Sequence, residues 1–272
     1  MNKNTLLVVG ALITVTTISI ATKPSSAGLE LPQCDVSTIL DTPVSFIVDN
    51  HVLEHNTKQD IQSYFEKSLK QSNLILSNSC IPMTRSLDEI VYVDIDMSQV
   101  RDMFSLHSEL TKQLSTDNLK FLFPMPNQYY GAVLETKYQK ILGIAGKVEP
   151  NLSQQFFAIT MGRDVNIVEH ELGHLAWAQH SEGNPTPNLD KWLKSVYLPE
   201  YHQFLPSYAR AYKCGTGGTV MSYENEKLPI YSNPKTTYRD EACGDVEDGD
   251  NARIVTESAQ RIAKQMSLLT DN

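Results

Sequence analysis

The segment EHELGHLAWAQHSEG, residues 169–183, constrains this chain more than any other stretch. His170 and His174 are four residues apart, so on a helix they project from one face and can place two imidazole nitrogens on one metal ion. Glu171 can then reach a metal-bound water without being a ligand itself. This arrangement predicts zinc-assisted hydrolysis, in which zinc lowers the pKa of the water toward ~7 and Glu171 takes the proton as general base.

A third histidine follows at a spacing that no single helix face can accommodate. His180 lies six residues after His174. It can join the other two histidines only if the helix stops near Trp177 and the chain turns back. The predicted metal ligands are therefore His170, His174 and His180, on the condition that such a turn forms.

The sequence HELGHLAWAQH resembles the metzincin signature HExxHxxGxxH, with Trp177 in place of the glycine. Three downstream segments agree with this resemblance. GGTVMSY (217–223) is similar to the metzincin Met-turn, and YSNPKTTY (231–238) is similar to the segment that lines the primary substrate pocket in reprolysin-like bacterial members, including the peptidyl-Asp metalloendopeptidase group. DNARIV (250–255) is similar to the start of their C-terminal helix.

The resemblance implies a secreted zinc metalloendopeptidase that acts on protein or peptide substrates, with one catalytic Zn²⁺. It implies that Met221 forms an apolar floor beneath the zinc. Tyr223 matches the position from which some metzincins supply a tyrosine near or on the metal, where its hydroxyl stabilises the oxyanion. The alternative for Tyr223 is a side chain that only packs in the turn.

Trp177 leaves three arrangements open. In the first arrangement, Trp177 adopts the left-handed conformation that glycine reaches freely. The strain would cost about 1–2 kcal/mol, which a metal bond can offset. Alternatively, the turn shifts onto Ala178. In the third arrangement His180 is free and a carboxylate replaces it, as in a glutamate-zincin, with the candidates Glu200, Glu224 and Glu226.

Hydrophobic patterning predicts an α+β fold: an α/β-type upper lobe with a twisted mixed sheet, the active-site helix, and a loop-rich C-terminal lobe ending in a helix. Strands are expected in VSFIVD, EIVYVDID, YYGAVLE, ILGIAGKV and FFAITMG. Thr57 is expected to cap a helix through about Leu76, whose apolar side carries Ile61, Phe65, Leu69 and Leu76. A last helix is predicted from about Asn251 to Leu269, with a packed face formed by Ile254, Ala259, Ile262 and Met266. The lobes span about 35–180 and 181–272.

The first 27 residues carry an uncharged, largely apolar run and end in Ser25-Ser26-Ala27, as a secretory signal peptide does. An uncleaved membrane anchor is the alternative. The expected mature domain, 28–272, is secreted or periplasmic, with no stable membrane association. It has 21 basic and 32 acidic residues, a net charge of −11, which argues against a nucleic-acid partner.

Four cysteines in an oxidising compartment predict two disulfides, and the preferred pairing is Cys34–Cys80 with Cys214–Cys243, because each then closes a local loop. The sequence around Cys34 also faintly resembles the peptide by which a cysteine thiolate silences some zinc proteases. The disulfide is the preferred interpretation.

Two further patterns suggest metals. His51, Glu54 and His55 spell the inverted zinc motif HxxEH, but they fall before a helix cap and not inside a helix, so we interpret them as a chance match. The acidic turn 239–251 could bind Ca²⁺ through the carboxylates of Asp245, Glu247, Asp248 and Asp250. The preferred interpretation is a solvated turn in which Asp250 caps the last helix.

The alternative to an enzyme is a non-catalytic, zinc-stabilised secreted binding protein.

Overall fold

A computed structural model describes residues 27–36, 38–114, 121, 124–142, 146–162, 164–183 and 186–270. Apart from Ala27, the predicted signal peptide lies outside the described residues. None of the helices in the described part of the chain is long and apolar enough to cross a membrane.

Eleven strands are assigned along the described chain. Their bounds are β1 Leu29–Glu30, β2 Leu40–Asp49, β3 Met83–Val93, β4 Tyr129–Leu134, β5 Gly146–Val148, β6 Phe156–Thr160, β7 Lys213–Cys214, β8 Gly217–Gly218, β9 Glu226–Lys227, β10 Asn233–Tyr238 and β11 Glu241–Cys243. Five of them form one twisted mixed sheet in the order β3-β2-β4-β6-β5. All neighbours pair in parallel except β5, which runs antiparallel to β6 and forms the edge of the sheet.

The described helices are α1 Lys58–Asn78, α2 Met103–Gln113, α3 Gln139–Leu142, α4 Ile167–Leu175, α5 Leu189–Val196 and α6 Asn251–Thr270. Three 3-10 segments accompany them, at Asn50–Glu54, Thr136–Tyr138 and Pro199–Phe204. The predicted N-cap of α1 is confirmed: Thr57 and Asp60 form a reciprocal capping box.

The sheet is buried on both faces. Alternate residues of β2 point to opposite sides, so Phe46 packs with α1 and α4 while Ile47 packs with α2. Phe46 stacks on Phe65 of α1 with ring centroids 3.7 Å apart. Burial on both faces explains why the central strands are nearly continuous apolar runs and not alternating ones. The short loop after β6 then leads into α4, which packs beside α1 and contacts β6 and the edge strand β5.

The lower part of the chain holds two small sheets, of orders β1-β10-β11 and β7-β8-β9, which the loop-rich sequence did not predict. The first described strand, β1, pairs with β10 and therefore belongs to one of these two small sheets. Both preferred disulfides are confirmed, Cys34–Cys80 and Cys214–Cys243. The predicted apolar face of α6 is also confirmed, because Ile254, Ala259 and Ile262 are buried and Met266 is partly buried against the same core. The architecture is the expected α+β class.

Candidate metal centre and active site

Helix α4 carries the histidine pair and ends at Leu175. Trp177, which replaces the glycine of the metzincin signature, follows two residues later. Trp177 has a φ of +74°, the left-handed region that glycine favours. Its N–H donates to the His174 carbonyl (3.0 Å), and the Ala178 N–H donates to the Gly173 carbonyl (2.9 Å). These two bonds are a Schellman motif with Trp177 at the position after the C-cap. Of the three arrangements left open by the sequence, the turn is therefore centred on Trp177 itself, and the shift onto Ala178 does not occur.

The Trp177 side chain explains how the strained turn is held. The indole is only 2% exposed, and its ring lies 5.6 Å from Tyr197, 5.3 Å from Tyr201 and 5.4 Å from Phe204, measured between ring centroids. We call these three residues the aromatic cage. Aromatic contacts at these separations are favourable beyond the area they bury. The cage comes from the segment after α5, about 20 residues downstream, which sequence periodicity did not connect with the turn.

Beyond the turn, the chain is fixed by the lower lobe. The Gln179 N–H donates to the Ala209 carbonyl (3.2 Å), and the Ala211 N–H donates to the Gln179 carbonyl (2.9 Å). Asn251, the first residue of α6, donates from Nδ2 to the same carbonyl (2.9 Å). The DNARIV segment thus contacts the residue next to His180, a role that its sequence did not reveal.

This turn brings the three histidines together. His180 Nε2 lies 3.2 Å from His170 Nε2 and 3.0 Å from His174 Nε2. Nitrogen ligands at 2.0–2.1 Å from a tetrahedral ion are separated by about 3.3 Å, so the spacing fits a zinc site. Among the described residues, these three form a group whose ligand atoms all lie within 4.8 Å of one another.

Two of the rings are oriented by backbone carbonyls. His170 Nδ1 lies 3.0 Å from the Val220 oxygen, and His174 Nδ1 lies 2.9 Å from the Ala178 oxygen. A carbonyl can only accept, so each Nδ1 donates and each Nε2 keeps a free lone pair facing the centre. Burial lowers the pKa of His170 to about 4 and that of His174 to about 3, and it lowers the pKa of His180 well below its ordinary value. All three are therefore neutral, the form that binds metal, at physiological pH.

Glu171 lies beside the cluster on the same helix and is 3% exposed. Burial raises its pKa to about 8. A Cβ placed on Gly146 of β5 would stand 2.5 Å from Glu171 Oε1 and 2.7 Å from its Cδ. The edge strand thus packs directly on this carboxylate, and only glycine leaves room for it.

Met221 packs directly against Gly173 of α4. It is fully buried, and a Cβ on Gly173 would stand 2.7 Å from its sulfur and 2.8 Å from the Tyr231 hydroxyl. Tyr231, the first residue of the YSNPKTTY segment, is also fully buried and donates to Glu169 Oε1 (2.7 Å). Tyr231 therefore supports helix α4, and it does not line the cavity over the histidines that is described below.

A buried ion pair anchors α4, and no local sequence pattern predicted it. Glu169 accepts two hydrogen bonds of 3.1 Å from the Arg85 guanidinium, and both side chains are fully buried. Arg85 lies on β3 and Glu169 immediately precedes His170. The two-bond geometry between a planar guanidinium and a carboxylate fixes orientation as well as position.

Tyr223 lies at the edge of the cluster. Its hydroxyl is 3.5 Å from His180 Nδ1 and its ring centroid is 4.6 Å from that of His180, so it approaches the side of the ring opposite Nε2. The side chain is 38% exposed. It lines the same cavity as Glu171.

The alternative carboxylate ligands are not part of the histidine group in the described structure. Glu226 accepts from Thr216 and Tyr238 (both 2.7 Å), and Glu224 is 3.9 Å from the Lys213 ammonium. Glu200 is exposed in the 3-10 segment Pro199–Phe204.

The two histidines of the inverted motif HxxEH contact different acidic residues. His51 Nδ1 lies 3.0 Å from Asp49, which raises the pKa of His51, whereas His55 lies 3.4 Å from Glu135. Glu54, His55 and Glu135 form a second group of possible ligands at the surface, without His51. The motif therefore does not bring its two histidines to one centre.

The other two competing patterns have structural partners as well. Cys34 forms a disulfide with Cys80, so it has no free thiolate that could bind the metal and inhibit the site. In the acidic turn, Asp250 Oδ1 accepts from the Arg253 N–H (3.0 Å) at the start of α6, and Asp245 Oδ1 accepts from the Glu247 N–H (2.8 Å). The contact of Asp250 with the Arg253 N–H is the helix-capping contact that the sequence predicted for Asp250.

A cavity of about 560 Å³ opens over the histidines. Its walls come from β5, the start of α4, helix α5 and the segment after Met221. This volume lies within the 300–1,000 Å³ typical of ligand sites. Its described charged lining, apart from the histidines and Glu171, consists of Lys147, Lys227 and Asp164.

No protein-family model matches the chain, and no curated protein matches its sequence. Its fold is similar to that of a solved chaperone-substrate complex, with a TM-score of 0.59 at 15% identity, over 84% of this chain and 36% of that one. Two other similar structures are metalloproteinase-II from Bacteroides fragilis (TM-score 0.43, 12% identity, 84% of this chain and 56% of that one) and a zinc-dependent peptidase from Methanocorpusculum labreanum (TM-score 0.30, 14% identity, 51% and 83%). The chain thus spans about a third and about half of the first two. At this identity the likeness to the first is one of fold alone.

Proposed function

We propose that the protein is a secreted zinc metalloendopeptidase of metzincin type, in which His170, His174 and His180 bind one zinc ion. The observation that carries this proposal is the convergence of three histidine Nε2 atoms beside the buried Glu171 carboxylate, with His180 Nε2 lying 3.0 and 3.2 Å from the other two. Three protein ligands with one open position are typical of catalytic zinc, whereas structural zinc sites are closed by four.

Bound zinc would lower the pKa of a water toward ~7 and polarise the scissile carbonyl. Glu171 takes the proton of the attacking water and returns it to the departing amine. Its pKa of about 8 without metal falls when a cation is near, because a positive charge favours the carboxylate form. Tyr223 donates from its hydroxyl to the oxyanion after moving away from His180.

The substrate backbone pairs with the edge strand β5. This strand has no partner on its outer side among the described strands, and Gly146, Lys147 and Val148 line the cavity beside Glu171. Addition of an extended peptide to such an edge orients its carbonyl groups by main-chain hydrogen bonds. Residues 1–27 are proposed to be a cleaved leader and 28–272 the catalytic domain. The two disulfides are compatible with an extracellular location.

The decisive experiment measures cleavage and metal content together. The purified protein should hold one zinc, cleave denatured protein substrates and lose activity with a chelator. Glu171→Ala should abolish cleavage while keeping the zinc. A wild-type protein that binds zinc but cuts nothing in a broad peptide library would refute the enzyme and leave the zinc-stabilised binding protein.

A second variant tests the ligand set. His180→Ala should weaken zinc affinity strongly, since it removes one of three ligands, and Glu226→Ala is the matched control that should leave affinity unchanged. Unchanged affinity in His180→Ala would remove His180 from the ligand set and favour the glutamate-zincin arrangement.

For Tyr223, the informative change is Tyr223→Phe. Loss of the hydroxyl should lower kcat about 10²-fold with zinc content intact, as expected for removal of one oxyanion donor. An unchanged kcat would assign Tyr223 to packing only.

A further inference from the structure

Helix α5 forms one wall of the cavity over the histidines. Leu189, Trp192 and Tyr197, from this helix and its C-terminal end, all line the cavity. Leu189 and Leu193 are buried beneath the helix, whereas Trp192 is 46% exposed. One face of α5 is therefore anchored in the core while a large apolar side chain is presented at the cavity.

The helix is held at both ends. At its start, the Leu189 N–H donates to Glu182 Oε1 (3.0 Å), and Asp190 pairs with the buried Arg210. At its end, Asn151 of the upper lobe donates to the Val196 carbonyl (2.8 Å) and accepts from the Leu198 N–H (3.1 Å). These contacts fix both ends of α5, so the backbone position of Trp192 in the cavity wall is set before any ligand arrives.

A tryptophan exposed at a fixed position loses little conformational entropy on binding and buries a large apolar area, which is why tryptophan dominates binding hot spots. Val148 of β5 and Ile167 of α4 line the same cavity and add apolar surface to that of α5. Beside Trp192 an apolar side chain is favoured over a charged one, since a charge would lose its hydration against the indole.

Building on the proposed peptidase function, we propose that Trp192 forms a substrate subsite that selects a large apolar side chain, such as Phe, Tyr, Leu or Met, close to the scissile bond. The subsite belongs to α5, in the segment between His180 and Met221, and not to the metal centre itself. The substrates are therefore polypeptides with accessible large apolar residues.

The two tryptophans of the chain allow a binding test that does not require catalysis. Trp177 is 2% exposed and Trp192 46%, so iodide quenches mainly Trp192 fluorescence. In a Glu171→Ala background, a peptide series with one Phe moved through the three residues on each side of the scissile bond should protect Trp192 from quenching at one position. The matching all-alanine peptide should not.

The kinetic test uses Trp192→Ala and Trp192→Phe with the same peptides. The alanine variant should lose about 10-fold or more in kcat/KM for the best Phe peptide, mainly through KM, and little for the all-alanine peptide. Trp192→Phe should retain most of the selectivity. Phe104→Ala is the matched control, because Phe104 is 51% exposed but does not line the cavity.

The outcomes separate the two proposals. Protection by the Phe peptide without any cleavage by the wild-type protein would refute the peptidase and keep the subsite. Cleavage that Trp192→Ala reduces equally for both peptides, or not at all, would refute the subsite and keep the peptidase.

Discussion

Replacement of Trp177 by glycine and by alanine separates two opposing contributions at one residue. The backbone at Trp177 is left-handed, which glycine tolerates and a side chain does not. The indole, in contrast, is buried in the aromatic cage. Trp177→Ala removes the indole and keeps the strain, whereas Trp177→Gly removes both.

The expected magnitudes follow from burial and conformation. Loss of a buried tryptophan side chain costs about 3–5 kcal/mol, which is the expected loss for Trp177→Ala. Glycine relieves about 1–2 kcal/mol of left-handed strain but gives back about 0.4–1 kcal/mol through the greater freedom of the unfolded chain. Trp177→Gly should therefore be about 0.5–1 kcal/mol more stable than Trp177→Ala and about 2–4 kcal/mol less stable than the wild type.

The assay is unfolding in the presence of a chelator, so that metal binding does not contribute to the free energy. For a domain of this size the glycine variant should melt roughly 5–15 °C below the wild type. Below its melting temperature it should still bind zinc and cleave substrate, because glycine supports the same turn before His180.

Two results would refute this reasoning. An alanine variant as stable as the glycine variant would mean that the strain of the turn does not exceed the entropy that glycine adds to the unfolded chain. A glycine variant as stable as the wild type would mean that the aromatic cage stabilises the fold by no more than about 0.5–1 kcal/mol, far below the ~3–5 kcal/mol expected for a buried tryptophan.

Three further predictions concern the same centre. Gly146→Ala should keep zinc but lower kcat about 10²-fold, because its Cβ would stand 2.5 Å from Glu171 Oε1 and displace the carboxylate; unchanged kinetics would contradict this packing. Gly173→Ala should destabilise the protein by about 1–3 kcal/mol in denaturant unfolding, through overpacking against the Met221 sulfur and the Tyr231 hydroxyl, and wild-type stability would refute it. The metal-free protein should lose stability on acidification below pH 6.5, because the three histidines have lowered pKa values and the unfolded chain binds more protons. Glu171 has a raised pKa and binds one proton in the folded state, which opposes the effect of the three histidines. Between pH 6 and 4.5 the free energy of unfolding, measured by urea titration, should therefore change by at most about 2.7 kcal/mol per pH unit, which corresponds to a net two protons. A free energy of unfolding that rises on acidification would contradict this prediction.

Local features of this protein were determined by the sequence alone. The spacing of four residues between His170 and His174 requires only a helix to bring them to one face. The same periodicity identified the buried faces of α1 and α6, and the Thr57 cap lay in four consecutive residues. The disulfide pairing was also predictable, because each bridge closes a local loop. All of these depend on residues near one another in the chain.

Contacts between distant segments were decided only by the tertiary structure. The Arg85–Glu169 pair joins residues 84 apart, and Asn251 contacts Gln179 across 72 residues, so no local period reveals either. The conformation of Trp177 was undecided for the same reason. Its left-handed turn is unfavourable in isolation and is stabilised by an aromatic cage from another segment, which balances the strain only after the two lobes have packed.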